Sequence, residues 1–164
     1  MAPGLSFQYR MSGSYWLLDV PTDERSIEVM LEAYAEDVRR VPIDKTLRLR
    51  GKIDAERLAR AQDFHGTLVL RLIDERRLQY RLFFAGDDGR RYELSGQSEW
   101  LGFAPVASLT SLPATLYDDS GQEVGRTTLR FDWRADGTRS IKSFRFHLSE
   151  RAPVPRPLGK WREP

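Results

Sequence analysis

Residues 78–100 read LQYRLFFAGDDGRRYELSGQSEW. Leu78, Tyr80, Leu82 and Phe84 share one parity, with Gln79 and Arg81 between them; after Gly86-Asp87-Asp88-Gly89 come Tyr92, Leu94, Gly96, Ser98 and Trp100, again on one parity. A period of two sends successive side chains to opposite faces of a strand. Asp-Gly supplies the positive φ angles that a tight turn needs. The stretch therefore predicts a β-hairpin with one buried and one solvated face.

The same grammar runs outward in both directions. Downstream, Ala114 and Leu116 lead to a turn at Asp119-Ser120-Gly121. Val124 follows, then Thr127, Leu129, Phe131 and Trp133, and a further turn at Ala135-Asp136-Gly137 leads to a last strand over 140–148 carrying Phe144, Phe146 and Leu148. Upstream, Leu5, Phe7, Tyr9, Met11, Gly13, Tyr15 and Leu17 alternate with Gln8, Arg10, Ser12 and Ser14, which predicts a long half-buried strand that can bend at Gly13. Leu47, Leu49, Gly51 and Ile53 alternate with Arg48, Arg50 and Lys52. Residues 65–73, HGTLVLRLI, are apolar on both parities for part of their length and read as a strand covered on both sides, with a helix as the candidate cover.

Two stretches change period. Ile27, Met30, Leu31, Tyr34 and Val38 fall at helical spacing, which predicts an amphipathic helix over 23–40. Thr22 would be its N-cap, Asp23 and Glu24 would suit its positive end, Arg39 and Arg40 its negative end, and Pro42 would stop it. DAERLARAQ at 54–62 reads as a short helical turn capped by Asp54, with Leu58 and Ala61 inward.

Eight strand candidates at hairpin spacing give a mainly β fold. The expected architecture is an eight-stranded antiparallel up-and-down barrel of lipocalin or calycin type, with one amphipathic helix after the first strand. Closure removes sheet edges and leaves an interior just wide enough for side chains or one small ligand. An open, curved sheet with the helix across it is the alternative. Residues 3–150 would form this single domain, and 151–164, rich in proline, an extended arm with Trp161 to dock it.

Composition bounds the function. The 164 residues are 40% hydrophobic and 11% aromatic, enough for a real core. There is no cysteine, which excludes disulfides and thiol nucleophiles and fits a reducing compartment. The net charge of +2 comes from 26 basic and 24 acidic residues interspersed along the chain, including the doublets Arg39-Arg40, Arg76-Arg77 and Arg90-Arg91, so nucleic acid is not an expected partner. The opening residues lack a charged segment followed by an unbroken apolar run, and no run approaches the ~20 apolar residues of a membrane span. A soluble cytoplasmic protein is expected.

Catalytic signatures are missing. His65 and His147 are far apart and stand in no metal-binding spacing. No Gly-x-Ser-x-Gly elbow occurs, and Ser95-Gly96 lies in a predicted strand. The glycines at 86, 89, 121 and 137 sit in hairpin turns and not before helices. Of the acid pairs, Asp87-Asp88 and Asp118-Asp119 also occupy turns, where Asp makes local backbone bonds, while Glu36-Asp37 does not. No metal or cofactor is expected.

The aromatic set remains: Tyr9, Tyr15, Tyr80, Phe84, Tyr92, Trp100, Phe131, Trp133, Phe144 and Phe146 come from different strands. In a barrel their inward members converge, and Tyr and Trp there line pockets with an apolar wall and a few polar tips. The candidate ligand-binding residues are Tyr80, Phe84, Tyr92, Trp100, Phe131, Trp133 and Phe144. The competing reading is that the aromatics simply fill the core. If Arg81, Arg130 or Arg145 faced inward instead, the pocket would suit an anionic head group; parity alone leaves this open.

The stretch Tyr80-Arg81-Leu82-Phe83-Phe84, followed by Asp87-Asp88-Gly89-Arg90-Arg91-Tyr92-Glu93-Leu94-Ser95-Gly96, resembles a segment of the extra domains fused to bacterial cholesterol-oxidase-like flavoenzymes of the glucose-methanol-choline family. More loosely, Phe7 through Gly13 resembles the opening of those domains, and Leu116-Tyr117 and Leu129 to Phe144 their closing strands. The resemblance spans most of residues 7–147. It implies an accessory β domain with a lipid or sterol connection. It transfers no oxidoreductase activity, because this chain has no flavin-binding glycine motif.

Three functions follow in order. The first is a non-enzymatic binding module for an apolar or amphipathic small molecule, lipid or sterol-like, which would need an enclosed apolar cavity of about 300 Å³ or more. The second is a protein-interaction or accessory domain working through its surface on a second copy or another protein. The third is a barrel isomerase or cyclase, for which Asp132 and Glu93 are the carboxylates to locate.

Overall fold

β1 (Gly4–Leu17) is hydrogen-bonded along one edge to β2 (Val20–Ala35) and along the other to β8 (Glu123–Phe131). That double pairing closes the sheet. In this computed structural model, which describes residues 3–71, 75–99, 111–131 and 145–147, the order runs β1 to β8 and back to β1. The intervening strands are β3 (Thr46–Ala55), β4 (Ala59–Arg71), β5 (Arg77–Ala85), β6 (Arg91–Glu99) and β7 (Ser111–Tyr117). Every neighbouring pair is antiparallel. The molecule is a closed eight-stranded up-and-down barrel. A short ninth strand, β9 (Arg145–His147), adds to β1 at Gly4–Ser6, beyond the end of β8.

The barrel meets the expectation, but the expected helix is absent. Residues 20–35 form β2, and their burial alternates: Ile27, Val29, Leu31 and Ala33 are buried while Met30 is 52% exposed. Both periods were present in this stretch, since 27, 30, 31 and 34 suit a helix and 27, 29, 31 and 33 a strand. Tertiary pairing decided between them. As a strand, the segment joins β1 from Leu5↔Ala35 to Leu17↔Val20 and β3 from Ile27↔Ala55 to Tyr34↔Arg48, so it satisfies the backbone of both neighbours. What helix there is comes after β2: a 3₁₀ turn at Val38–Arg40 and α1 (Val41–Asp44). Pro42 sits in the first turn of α1 and opens that helix instead of stopping one. The strand count of eight thus held through a compensation, because β2 replaced the predicted last strand in the closed sheet.

The expected helical turn at 54–62 is also a hairpin. β3 runs through Ala55, Glu56–Leu58 turn with Arg57 at φ 63°, and β4 begins at Ala59; Leu58 is buried as expected, but Ala61 is exposed. Among the described residues no helix covers β4; Thr67 and Val69 on its outer face stay half-buried. No helix among the described residues is long and apolar enough to cross a membrane. Of the last predicted strand, 145–147 is described. The arm at 151–164 lies outside the described residues.

Elsewhere parity holds. Leu78, Tyr80, Leu82 and Phe84 on β5, Tyr92 and Leu94 on β6, and Leu112, Ala114 and Leu116 on β7 all point into the barrel. Tight coiling requires glycine at inward positions such as Gly66 and Gly13. A Cβ on Gly66 would lie 1.9 Å from the Arg81 carbonyl oxygen, and one on Gly13 2.1 Å from that of Thr128. The expected turn chemistry is present too. The Asp118 carboxylate accepts from Ser120 N at 3.0 Å, Ser120 Oγ at 2.6 Å and Gln122 N at 3.0 Å, and Asp88 accepts from Arg90 N at 2.9 Å. Asp87 instead reaches the neighbouring hairpin, as described below.

Candidate functional site in the barrel interior

The odd-numbered strands β1, β3, β5 and β7 begin at the end of the barrel that carries α1. The hairpin turns that follow them lie at the opposite end, where hydrogen bonds tie the β3–β4 turn to its neighbours. Asp87 N donates to Leu58 O at 2.8 Å, and the Asp87 carboxylate accepts from Arg60 N at 2.9 Å and Gln62 Nε2 at 3.0 Å. Glu56 N donates to Ser26 O at 3.0 Å, Ser26 N donates back to Glu56 Oε2 at 3.1 Å, and the Tyr15 hydroxyl donates to Glu56 O. The β3–β4 turn is thereby fixed to β2 on one side and to the β5–β6 turn on the other, with Leu58 buried beneath it.

At the α1 end the described interior side chains are apolar, and several are partly buried, as Leu17 and Val124 are at the opposite end. Phe7, Ala35, Val41 and Leu70 pack against the core but are only partly buried. Leu5 is likewise half-buried, and Ile43 on α1 is 77% exposed. The C-cap residue of α1 is held to β4 by Leu70 N donating to Lys45 O at 2.7 Å.

One tier further in, a hydrogen bond crosses the barrel. Tyr9 on β1 and Tyr80 on β5 stand four strands apart in either direction, on opposite walls, and their hydroxyls lie 2.6 Å from each other. Both side chains are buried. Phe131 of β8 sits beside both, with ring centroids 6.0 Å from Tyr9 and 6.1 Å from Tyr80, and Phe7 stacks on Tyr9 at 5.6 Å. Burial, above all, holds both phenols well above the ordinary tyrosine range; their mutual contact raises Tyr9 further. They are neutral hydrogen-bonding groups at any physiological pH.

The other buried polar side chains serve the backbone. Ser98 Oγ donates to Ser111 O at 2.9 Å and Thr127 Oγ1 donates to Ser14 O at 2.7 Å. Charged groups stay on the outer wall. Arg81 pairs with Glu93 at 2.7 Å, Arg50 with Glu32 at 2.7 Å and Lys52 with Asp63 at 2.9 Å, and Arg130 is exposed. The question of inward Arg81 and Arg130 is therefore answered: both face out, and so does Glu93. His65 is also on this outer face, stacked on Phe83 at 5.6 Å.

Of the candidate ligand residues, the structure brings Tyr80 and Phe131 together in the cross-barrel tier. Phe84 lies about 13 Å farther along β5 and stacks on Tyr92 at 5.7 Å, while the Tyr92 hydroxyl donates to Asp88 Oδ2 at 3.0 Å in the turn. These two form a separate pair toward the tied end. Trp100, Trp133 and Phe144 lie outside the described residues, as do Asp132 and the Arg145 side chain. The candidate list omitted Tyr9, Phe7 and Leu70; parity marked the first two as inward, but nothing local in the sequence sets Tyr9 opposite Tyr80.

A groove of about 670 Å³ also lies near the tied end, lined in part by Ser12, Ser26, Glu28, Asp54, Glu56 and Arg57. Its walls are polar and its groups are engaged: Glu28 pairs with Arg10 at 3.2 Å, and Glu56 holds Ser26. It is not the enclosed apolar cavity that a lipid container would need.

Fold and interior together define a closed antiparallel β-barrel whose apolar core is crossed by a pair of neutral, hydrogen-bonded tyrosines. No protein-family model and no curated protein matches the chain. A designed protein, described as a de novo fluorescence-activating β-barrel, is similar over 76% of this chain and 92% of its own, at 15% identity and a TM-score of 0.41. At that level the likeness says nothing about function, and the barrel assignment rests on the strand pairings themselves.

Proposed function

We propose that this barrel is a non-enzymatic binding module for an apolar or amphipathic small molecule, lipid or sterol-like, which enters at the α1 end. The observation that carries the reading is an apolar barrel interior crossed by one pair of hydroxyls, Tyr9 and Tyr80. One end is tied by a hydrogen-bonded hairpin. The other has half-buried Leu5, Phe7, Ala35, Val41 and Leu70 among its described residues, with the Tyr9–Tyr80 pair one tier further in. Small-molecule sites typically combine such an apolar wall with a few fixed hydrogen-bonding groups. Half-buried aliphatic side chains at a rim favour an apolar occupant, since each fully covered one contributes ~1.5–3 kcal/mol. The resemblance of the hairpin at 80–96 to the extra domains of cholesterol-oxidase-like enzymes supports the sterol-like end of this range and an accessory role.

The test is native mass spectrometry of the protein purified gently from cells, with organic extraction of whatever stays bound, followed by titration of the apo protein with the neutral apolar fluorophore N-phenyl-1-naphthylamine. A co-purifying lipid near one per chain, or saturable uptake of the fluorophore that a rim substitution such as Leu70→Glu abolishes, is the expected result. A clean apo mass together with no saturable uptake overturns the reading.

A further inference from the structure

We infer that the lumen selects ligands whose polar group is a neutral oxygen, a hydroxyl or carbonyl, over the corresponding carboxylates, with the Tyr9–Tyr80 pair as the recognising group. The inference rests on the container reading above and adds to it the chemistry of the head group.

Four observations converge. Among the described residues no charged side chain is buried. The cations that neighbour the lumen in sequence are turned to the outer wall, where Arg50, Lys52 and Arg81 are held in ion pairs and Arg130 is exposed. The Ser98 and Thr127 hydroxyls are committed to strand carbonyls. The Tyr9 and Tyr80 hydroxyls bond to each other across the barrel interior, 2.6 Å apart.

An alcohol entering between the two phenols replaces their one mutual bond by two, because its hydroxyl both donates and accepts. A ketone or ester carbonyl accepts from a phenol in the same place. Neither brings a charge. A carboxylate would accept the same donors, yet its charge would be buried with no counter-cation among the described residues of that tier, and an ion taken out of water is strongly disfavoured unless it is paired. The same wall that welcomes the alkyl chain therefore discriminates against the ionised head group.

The experiment uses the whole chain and three probes of equal acyl length: 1-decanol, methyl decanoate and decanoate. Each displaces N-phenyl-1-naphthylamine at about pH 7.5, where the carboxylate is ionised. The two neutral probes should displace at concentrations at least tenfold below that of decanoate. Tyr9→Phe and Tyr80→Phe keep both rings and remove one hydroxyl each, and in both variants the preference for decanol over decanoate should shrink several-fold. Decanoate binding as well as decanol in the unsubstituted protein overturns the selectivity and leaves the container reading standing. A preference unchanged in both variants overturns the role of the tyrosine pair and assigns the selectivity to apolarity alone. Failure of the fluorophore itself to enter overturns the container reading and this inference with it.

Discussion

Tyr80 shows what a residue's letter carries and what it does not. Its parity with Leu78, Leu82 and Phe84 already sent it inward, and it is buried, as are Phe84, Tyr92 and Phe131. Its hydrogen-bond partner is a different matter, since Tyr9 lies at the far end of the chain and meets it only across a closed barrel. The pair has a measurable signature. Both phenols have folded-state affinities for the proton raised above the unfolded value, so their contribution is complete below about pH 10 and is lost as pH rises beyond it. Above that point the unfolded chain releases protons that the folded chain keeps, and stability falls by ~1.4 kcal/mol per pH unit for each such group. Of the six tyrosines, two should therefore yield phenolate absorbance only when the protein unfolds. Urea midpoints at about pH 8 and about pH 11 should differ in that direction. Early titration of all six phenols in folded protein would contradict the buried bridge.

At the scale of the element, β2 is where local reading and fold diverged. Ile27 and Leu31 satisfy a helix and a strand equally, so they carry no information about which forms. Met30 and Val29 do. A helix would bury Met30, whereas the strand leaves it 52% exposed and buries Val29 completely. Met30→Lys should change stability by no more than about 0.5 kcal/mol, as for an ordinary surface site. Val29→Ala should cost ~1–3 kcal/mol through the cavity it leaves. Denaturant melts of the two variants check the order, and the reverse order would restore the helix. Turn elements behaved oppositely. The Asp-rich turns at 86–89 and 118–121 were legible because their bonds are made within four residues. The β3–β4 turn was not, because DAERLARAQ contains good helix formers and what holds the turn open is contact with Ser26, Tyr15 and Asp87 from other hairpins.

At the scale of the whole molecule, closure joins the first strand to the eighth, Met11↔Phe131 through Leu17↔Gly125. That contact requires nearly the full chain to be ordered first, and loop-closure entropy is spent before the pairing returns it. Folding should accordingly be slow for this size, in the range of milliseconds to seconds, and a substitution on the closing seam such as Leu129→Ala should act mainly by accelerating unfolding if the seam forms last. Stopped-flow fluorescence, with Trp16 on β1 as one reporter, reads both limbs; microsecond folding would argue against late closure.

The sequence by itself determined the strand grammar: the period-two alternation, the Asp and Gly turns, and the shared parity of the aromatics. These are properties of neighbouring residues, and neighbours in sequence settle them. Tertiary structure decided which of two available periods residues 20–35 adopt, which end of the barrel is tied, and that Tyr9 meets Tyr80. Each of these turns on strands finding partners through space, where backbone hydrogen bonds and burial outweigh the local preference of a single segment.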